Sequence, residues 1–253
     1  MNPDTIKSQL RALRLSAAAR GLDELLLKHR QAIKLDWLTE LLQHELDARR
    51  DNAQRLRFKQ AGFPIATALE TFDFAFNPQL DETAIRELAT LKFIAEHGIA
   101  LLLGQTGTGK THIALALGAA VARAGQRVYF SSAKALIEQI ALAKHHNTLD
   151  QLFKRILQSK LWIIDDFAVT TMKREIAEEV FDLLDRRKYS SALILTSNRD
   201  PDEWGEVFPN AILASATIDR LFEHARTLLF KGPSYRLKGR ITHTHVDAAT
   251  LTA

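Results

Sequence analysis

No cysteine occurs anywhere in the 253-residue chain. Disulfides and thiolate metal sites are therefore excluded, in keeping with a reducing, cytoplasmic setting. Long apolar runs are also missing, and nothing approaches the roughly 18 consecutive apolar residues of a membrane span. The opening stretch MNPDTIKSQLRALRLSAAARGL spreads its charges throughout and has no apolar centre, so no secretory signal and no membrane partner are expected. Internal repeats, low-complexity tracts and zinc-finger-like base-reading motifs are absent. What remains is an ordinary folded composition, 46% hydrophobic and 25% charged.

The net charge is +4, and residues 1–62 account for all of it, with twelve Lys or Arg against eight Asp or Glu. Such an excess suits either a solvated helical face or an anionic partner. In this stretch Leu10, Leu13, Ala17, Leu22, Leu25 and Leu26 recur at helical steps, with a break expected near Gly21. A second helix is expected from Asp36 as N-cap, carrying Leu38, Leu41, Leu42 and Leu46 on one face. It ends at Gly62 and Pro64, giving a helical N-terminal domain over 1–64. The segment PIATALETFDFAFNPQLD, rich in Phe, reads as a connector packed on a neighbour.

Beyond residue 83 helical stretches alternate with compact apolar runs: IALLLG (99–104), RVYFSS (127–132), LWIIDD (161–166), ALILTSN (192–198) and TLLFKG (227–232). Five such runs with helical crossovers predict an α/β domain over 65–253, with a five-stranded parallel sheet flanked by helices.

Between the first run and its helix lies GQTGTGKTH, residues 104–112. This is the P-loop pattern in the strand–loop–helix setting its chemistry needs. Gly104, Gly107 and Gly109 let the backbone turn its N–H groups inward, along with those of Gln105, Thr106, Thr108 and the helix start at His112. Lys110 reaches the β- and γ-phosphates, and the Thr111 hydroxyl binds Mg²⁺. The expected cofactors are thus ATP and Mg²⁺. The adjacent acids ending the third run divide naturally: Asp165 as the metal-binding Walker B acid, Asp166 as the carboxylate that handles the attacking water. Asn198 can hydrogen-bond the γ-phosphate or its water, or simply cap a turn. Arg220 fits a surface residue, a partner of Asp219, or an arginine finger acting on a neighbouring subunit. The histidines, including His145, His146, His243 and His245, lack a metal-ligand set, and Trp162 reads as core.

Gly104–Thr111, Asp165–Asp166, Asn198 and Arg220, in this order, resemble an AAA+ ATPase. TFDF, GKTHIALALG, DRLFEHA and GPSYRLKGR make the chain similar to the IstB-like transposition helper ATPases, relatives of the DnaC helicase loaders in the initiator clade. The resemblance implies an ATP-dependent regulator of transposition that oligomerises on target duplex DNA, in a nucleotide- and DNA-dependent way, and recruits or activates a cognate transposase. It also implies catalytic roles for Lys110, Asp166, Asn198 (sensor 1) and Arg220 (finger), and a DNA-lining helix after the second strand. Two features depart from it: the second acid is Asp where many AAA+ proteins have Glu, and the short stretch after the last strand leaves the helical lid reduced or absent, with Arg236 the nearest sensor 2 candidate.

The DNA footprint expected from charge and resemblance comprises Arg49, Arg50, Arg55, Arg57 and Lys59, joined by Lys134, Lys144, Lys231, Arg236, Lys238 and Arg240. Two other functions fit a P-loop. A DnaC-like helicase loader uses ATP as a switch in replication. A small-molecule kinase needs an acceptor pocket and an Arg-rich lid, for which no segment is evident.

Overall fold

The computed structural model describes residues 3–28, 36–65 and 67–238. Two compact units divide between Leu56 and Arg57.

In the first unit, α1 (Pro3–Ala12) and α2 (Ser16–Lys28) precede α3 (Asp36–Ala61), whose last turns belong to the second unit. Ile6, Leu10, Leu13, Ala19, Leu22 and Leu42 form its core. The break between the first two helices falls at residues 13–15, not near Gly21, which lies inside α2. Arg14 adopts a left-handed φ of 61°. Leu15 N donates to Leu10 O at 2.8 Å and Arg14 N to Arg11 O at 2.9 Å. This pair of bonds is the Schellman arrangement, closing α1 on a non-glycine residue.

The second unit begins with the end of α3 and two 3-10 turns, Leu69–Thr71 and Phe74–Phe76. α4 (Glu82–Ala89) and α5 (Lys92–Ala95) then lead to β1 (Ile99–Gly104) and α6 (Lys110–Arg123). Next come β2 (Val128–Ser132), α7 (Ala133–His145), α8 (Leu149–Leu157), β3 (Leu161–Asp165), α9 (Arg174–Arg187) and β4 (Ala192–Ser197). α10 (Ala211–Phe222) and β5 (Ala225–Phe230) follow, and after them, among the described residues, only a 3-10 turn, Tyr235–Leu237. Among the described residues no helical lid follows β5.

All pairings are parallel, in the order β2-β3-β4-β1-β5. The inner strands are buried on both faces, and alternate residues feed two cores. Leu101, Leu103, Trp162, Ile164, Leu193 and Leu195 pack under α7–α10. Ala100, Leu102, Ile163 and Ile194 pack on the other face with α4 and α6. Phe72 and Phe74 join that second core, as the Phe-rich connector was expected to. The last strand starts two residues earlier than its apolar run suggested, pairing Ala225 with Ile99. As an edge strand it leaves Arg226 and Thr227 exposed, which hides its start from a search for apolar runs.

This order places β4 between β1 and β3, so the ends of all three strands converge. Ligands in parallel sheets bind at such carboxyl ends. The arrangement rests on the central packing. Trp162, fully buried in β3, sets one expectation: Trp162→Ala should cost about 3–5 kcal/mol of stability in urea unfolding. A loss below about 1 kcal/mol, the level of a surface substitution, would contradict the packing described.

Candidate nucleotide-binding site

β1 delivers the chain into the glycine-rich loop at Gly104, whose φ is 134°. A Cβ there would sit 2.2 Å from the Phe230 carbonyl oxygen of β5, so any side chain is sterically barred. At the far end Gly109, with φ 104°, caps α6, and a Cβ would meet the Phe72 ring at 2.5 Å. No side chain caps α6 at this end. Its first N–H groups and positive pole therefore face the loop, the setting that binds phosphate.

Lys110 Nζ donates to Gly104 O at 2.6 Å and Gln105 O at 2.7 Å, folding back over the loop. Burial pushes its pKa down, Asp166 and Asp165 oppose the shift, and Arg236 adds to it. Thr108 Oγ1 donates to Gln105 O at 2.7 Å and pins the loop's middle. Asn198, just past β4, donates to Thr106 Oγ1 at 3.3 Å, which brings it to the loop.

The two acids occupy different settings. Asp165 is buried at the end of β3. Its Oδ1 accepts from Thr111 Oγ1 at 2.8 Å and from Thr196 Oγ1 at 2.6 Å. Asp166 lies beyond the strand at a left-handed φ of 54°, and its N–H donates to Thr196 Oγ1 at 3.0 Å. Partial burial raises its carboxyl pKa, and Asp165 raises it further against the pull of Lys110 and Arg236. Thr196 thus touches both acids, a role that sequence reading did not assign to it. The signal was present, a hydroxyl ending the strand between the P-loop and Walker B strands.

Beside the loop opens a cleft of about 270 Å³. Phe72, Asp73, Phe76, Tyr235 and Arg236 face Gly107–Gly109, Thr111 and His112 across it. His112 Nε2 lies 3.4 Å from both Thr71 Oγ1 and Ala68 O, and its ring meets Phe72 edge-on. Tyr235 N donates to Gly107 O at 2.9 Å, and Lys238 pairs with Asp73 at 3.0 Å. The aromatic wall went unassigned in sequence, although the Phe spacing and GPSYR marked both segments.

Arg220 lies outside the cleft lining. It pairs with Asp185 of α9 at 3.1 Å and Glu223 at 3.1 Å, so its intramolecular partners are these and not Asp219. The basic residues fall into two groups. Arg49 bonds Glu45 and Leu13 O, Arg50 pairs with Asp47, and Lys144 pairs with Glu179 at 2.6 Å. Arg55, Lys59, Lys134 and Lys231 are exposed. Arg57 is half-buried and donates to Ala122 O. Arg240, His243 and His245 lie outside the described residues.

Fold and site together define a P-loop ATP-binding domain of the AAA+ type. The family model described as IstB-like ATP binding protein matches residues 8–243, and the chain belongs to that family. It is 41% identical over 203 residues to the IS21 putative ATP-binding protein of Pseudomonas aeruginosa, covering 80% of this chain and 77% of the relative. A putative ATP-binding protein of an insertion sequence in Mycobacterium tuberculosis is 34% identical over 238 residues, covering 93% and 95%. Among solved structures, AMPPCP-bound DnaA from Aquifex aeolicus matches with a TM-score of 0.57 at 21% identity, covering 70% of this chain and 53% of that one. The DnaC helicase loader matches with a TM-score of 0.52 at 21% identity, covering 59% and 87%. At these identities the likeness is one of fold.

Two outcomes follow from the geometry. Because its pKa is raised, ionising Asp166 is less favourable in the folded chain than in the unfolded one. The resulting loss of stability is absent below the usual value of 3.8 and develops as pH rises through the higher folded pKa. Asp166→Asn should therefore melt above the parent near neutral pH and show no such gain in acid, and equal offsets at both would contradict this assignment. Thr196→Val keeps the shape but removes both hydroxyl bonds. It should weaken Mg²⁺-dependent ATP binding by about 10–100-fold, the usual cost of losing an outer-shell partner. Isothermal titration with and without Mg²⁺ reads this, and unchanged affinity would count against Thr196 as a support.

Proposed function

We propose that the chain is a cytoplasmic ATPase switch in DNA transposition, assembling on target duplex DNA in its ATP-bound form and recruiting or activating a transposase. The observation that carries the reading is the linkage of Thr111, Asp165 and Thr196 beside Lys110, in a chain whose curated relatives are ATP-binding proteins of insertion sequences. The helicase-loader reading has only a fold likeness to the DnaC loader behind it.

The residues suit Mg²⁺. A hydroxyl and a carboxylate 2.8 Å apart supply hard oxygen donors, and among the described residues no group of three His, Cys, Asp or Glu competes for a metal. Mg²⁺ characteristically takes one or two carboxylates plus phosphate and water. When bound it would neutralise phosphate charge. With nucleotide bound, Lys110 would exchange its two loop carbonyls for phosphate oxygens, and Thr111 and Asp165 would hold the ion. Asp166, whose carboxyl pKa is raised by partial burial, would accept the proton of the attacking water. Asn198 positions that water or the γ-phosphate. Arg220 leaves Asp185 and Glu223 to act on the ATP of an adjoining subunit, so turnover requires assembly. The helical region 1–64 and the exposed basic residues serve DNA, self-association or the transposase.

The test is sizing and ATP turnover, with and without duplex DNA, over a salt series. Larger assemblies should form with nucleotide and duplex DNA together, and Lys110→Ala should abolish them. Unchanged assembly in that variant would remove ATP from the step. Arg220→Ala should bind ATP but not hydrolyse it, and mixing it with Asp166→Asn subunits should restore some turnover. No recovery in the mixture would defeat the shared site.

A further inference from the structure

At the opposite end of the sheet from the P-loop, the start of β2 borders a recess of about 380 Å³. Arg57, Arg127 and Arg155 line it, along with Gln60, Gln158 and Tyr129, and no carboxylate does. The three arginines come from separate places: the end of α3, the residue before β2, and the last turn of α8. Several arginines elsewhere in the chain pair with acids, as at Arg86–Glu82, Arg174–Glu178, Arg199–Glu206 and Arg226–Glu87. Among the described residues these three have no such partner.

Each of the three is nonetheless held in place. Arg57 Nε donates to Ala122 O at 3.2 Å and Arg127 Nη1 to Gln158 Oε1 at 3.4 Å. Arg155 Nη2 donates to the Tyr129 hydroxyl at 3.1 Å, with the guanidinium 5.1 Å from the ring centroid. Tyr129 is itself buried and bonded to Gln139. Capping a carbonyl or packing on a ring explains one N–H of each guanidinium, yet each carries five. The three guanidinium groups line one recess with donors to spare, and the mutual repulsion of three cations is relieved when an anion enters. Planar donor forks match the oxygens of phosphate.

We propose that Arg57, Arg127 and Arg155 form a second anion site, separate from the ATP cleft, that takes a phosphate group as a free phosphate ester or as the phosphodiester of nucleic acid. The chemistry is common to both sources. Only its assignment to DNA rests on the DNA-binding reading above.

The test uses the full chain carrying Lys110→Ala, which weakens phosphate binding at the P-loop equally in every protein compared, titrated with inorganic phosphate at constant ionic strength and read as the thermal midpoint. The midpoint should rise with phosphate. The rise should shrink in Arg127→Gln, whose only side-chain bond among the described residues is to Gln158, and vanish when Arg155→Gln is added. Arg127→Lys with Arg155→Lys should keep much of it, which separates loss of charge from loss of fold. Equal rises in all four proteins would overturn the site. With Lys110 intact, duplex DNA binding across a salt series then identifies the source. A slope of log affinity against log salt reduced by about two for the two Gln substitutions assigns the site to the DNA backbone. An unchanged slope, with the phosphate response lost, assigns it to a small phosphate ester. A parent protein that ignores duplex DNA would sink the DNA reading and leave the phosphate titration fully informative.

Discussion

One carboxylate oxygen joins the parts of this domain that must agree in position. Asp165 Oδ1 receives a hydroxyl from Thr111 at the start of α6 and another from Thr196 at the end of β4. Three elements separated in sequence are thereby locked at one point. Buried carboxylates are costly unless their hydrogen bonds are met, and here the same bonds that meet that need also align the loop, the strand ends and the second acid. The parallel order β2-β3-β4-β1-β5 makes this possible, because β4 lies beside β3 and its Thr196 hydroxyl reaches both Asp165 and the Asp166 N–H there.

The strand cores and the glycine-rich loop were legible in sequence because each is written contiguously. Ile99–Gly104 is apolar throughout, Gly104–Thr111 carries its own punctuation, and Asp165–Asp166 closes a buried run. The less legible features depend on elements meeting. Thr196 acquires significance only from the sheet order, and the Phe72–Tyr235 side of the cleft only from how two distant segments fold against the loop. Backbone conformation is a second blind spot. The turn after α1 uses Arg14 in a left-handed geometry that glycine usually marks, whereas Gly21, the apparent breaker, is carried inside α2. A left-handed residue with a side chain costs only about 1–2 kcal/mol, which surrounding packing readily offsets.

Charge also divides more finely than its total suggests. Much of the basic surplus is answered locally, as with Arg49, Arg50 and Lys144, and exposed ion pairs of this kind contribute little to stability. Cations without an acidic partner among the described residues occur both as exposed lysines such as Lys59 and Lys134 and among the arginines, including those beside β2.

The left-handed turn at Asp166 bears on the choice of acid itself. Few residues with side chains occupy that region comfortably, and Asp and Asn are several-fold enriched there. The chain leaves β3 in this conformation and returns an N–H to Thr196, and a short carboxylate suits that backbone. The missing methylene relative to the commoner glutamate is thus in keeping with the main-chain geometry as well as with the chemistry of the site.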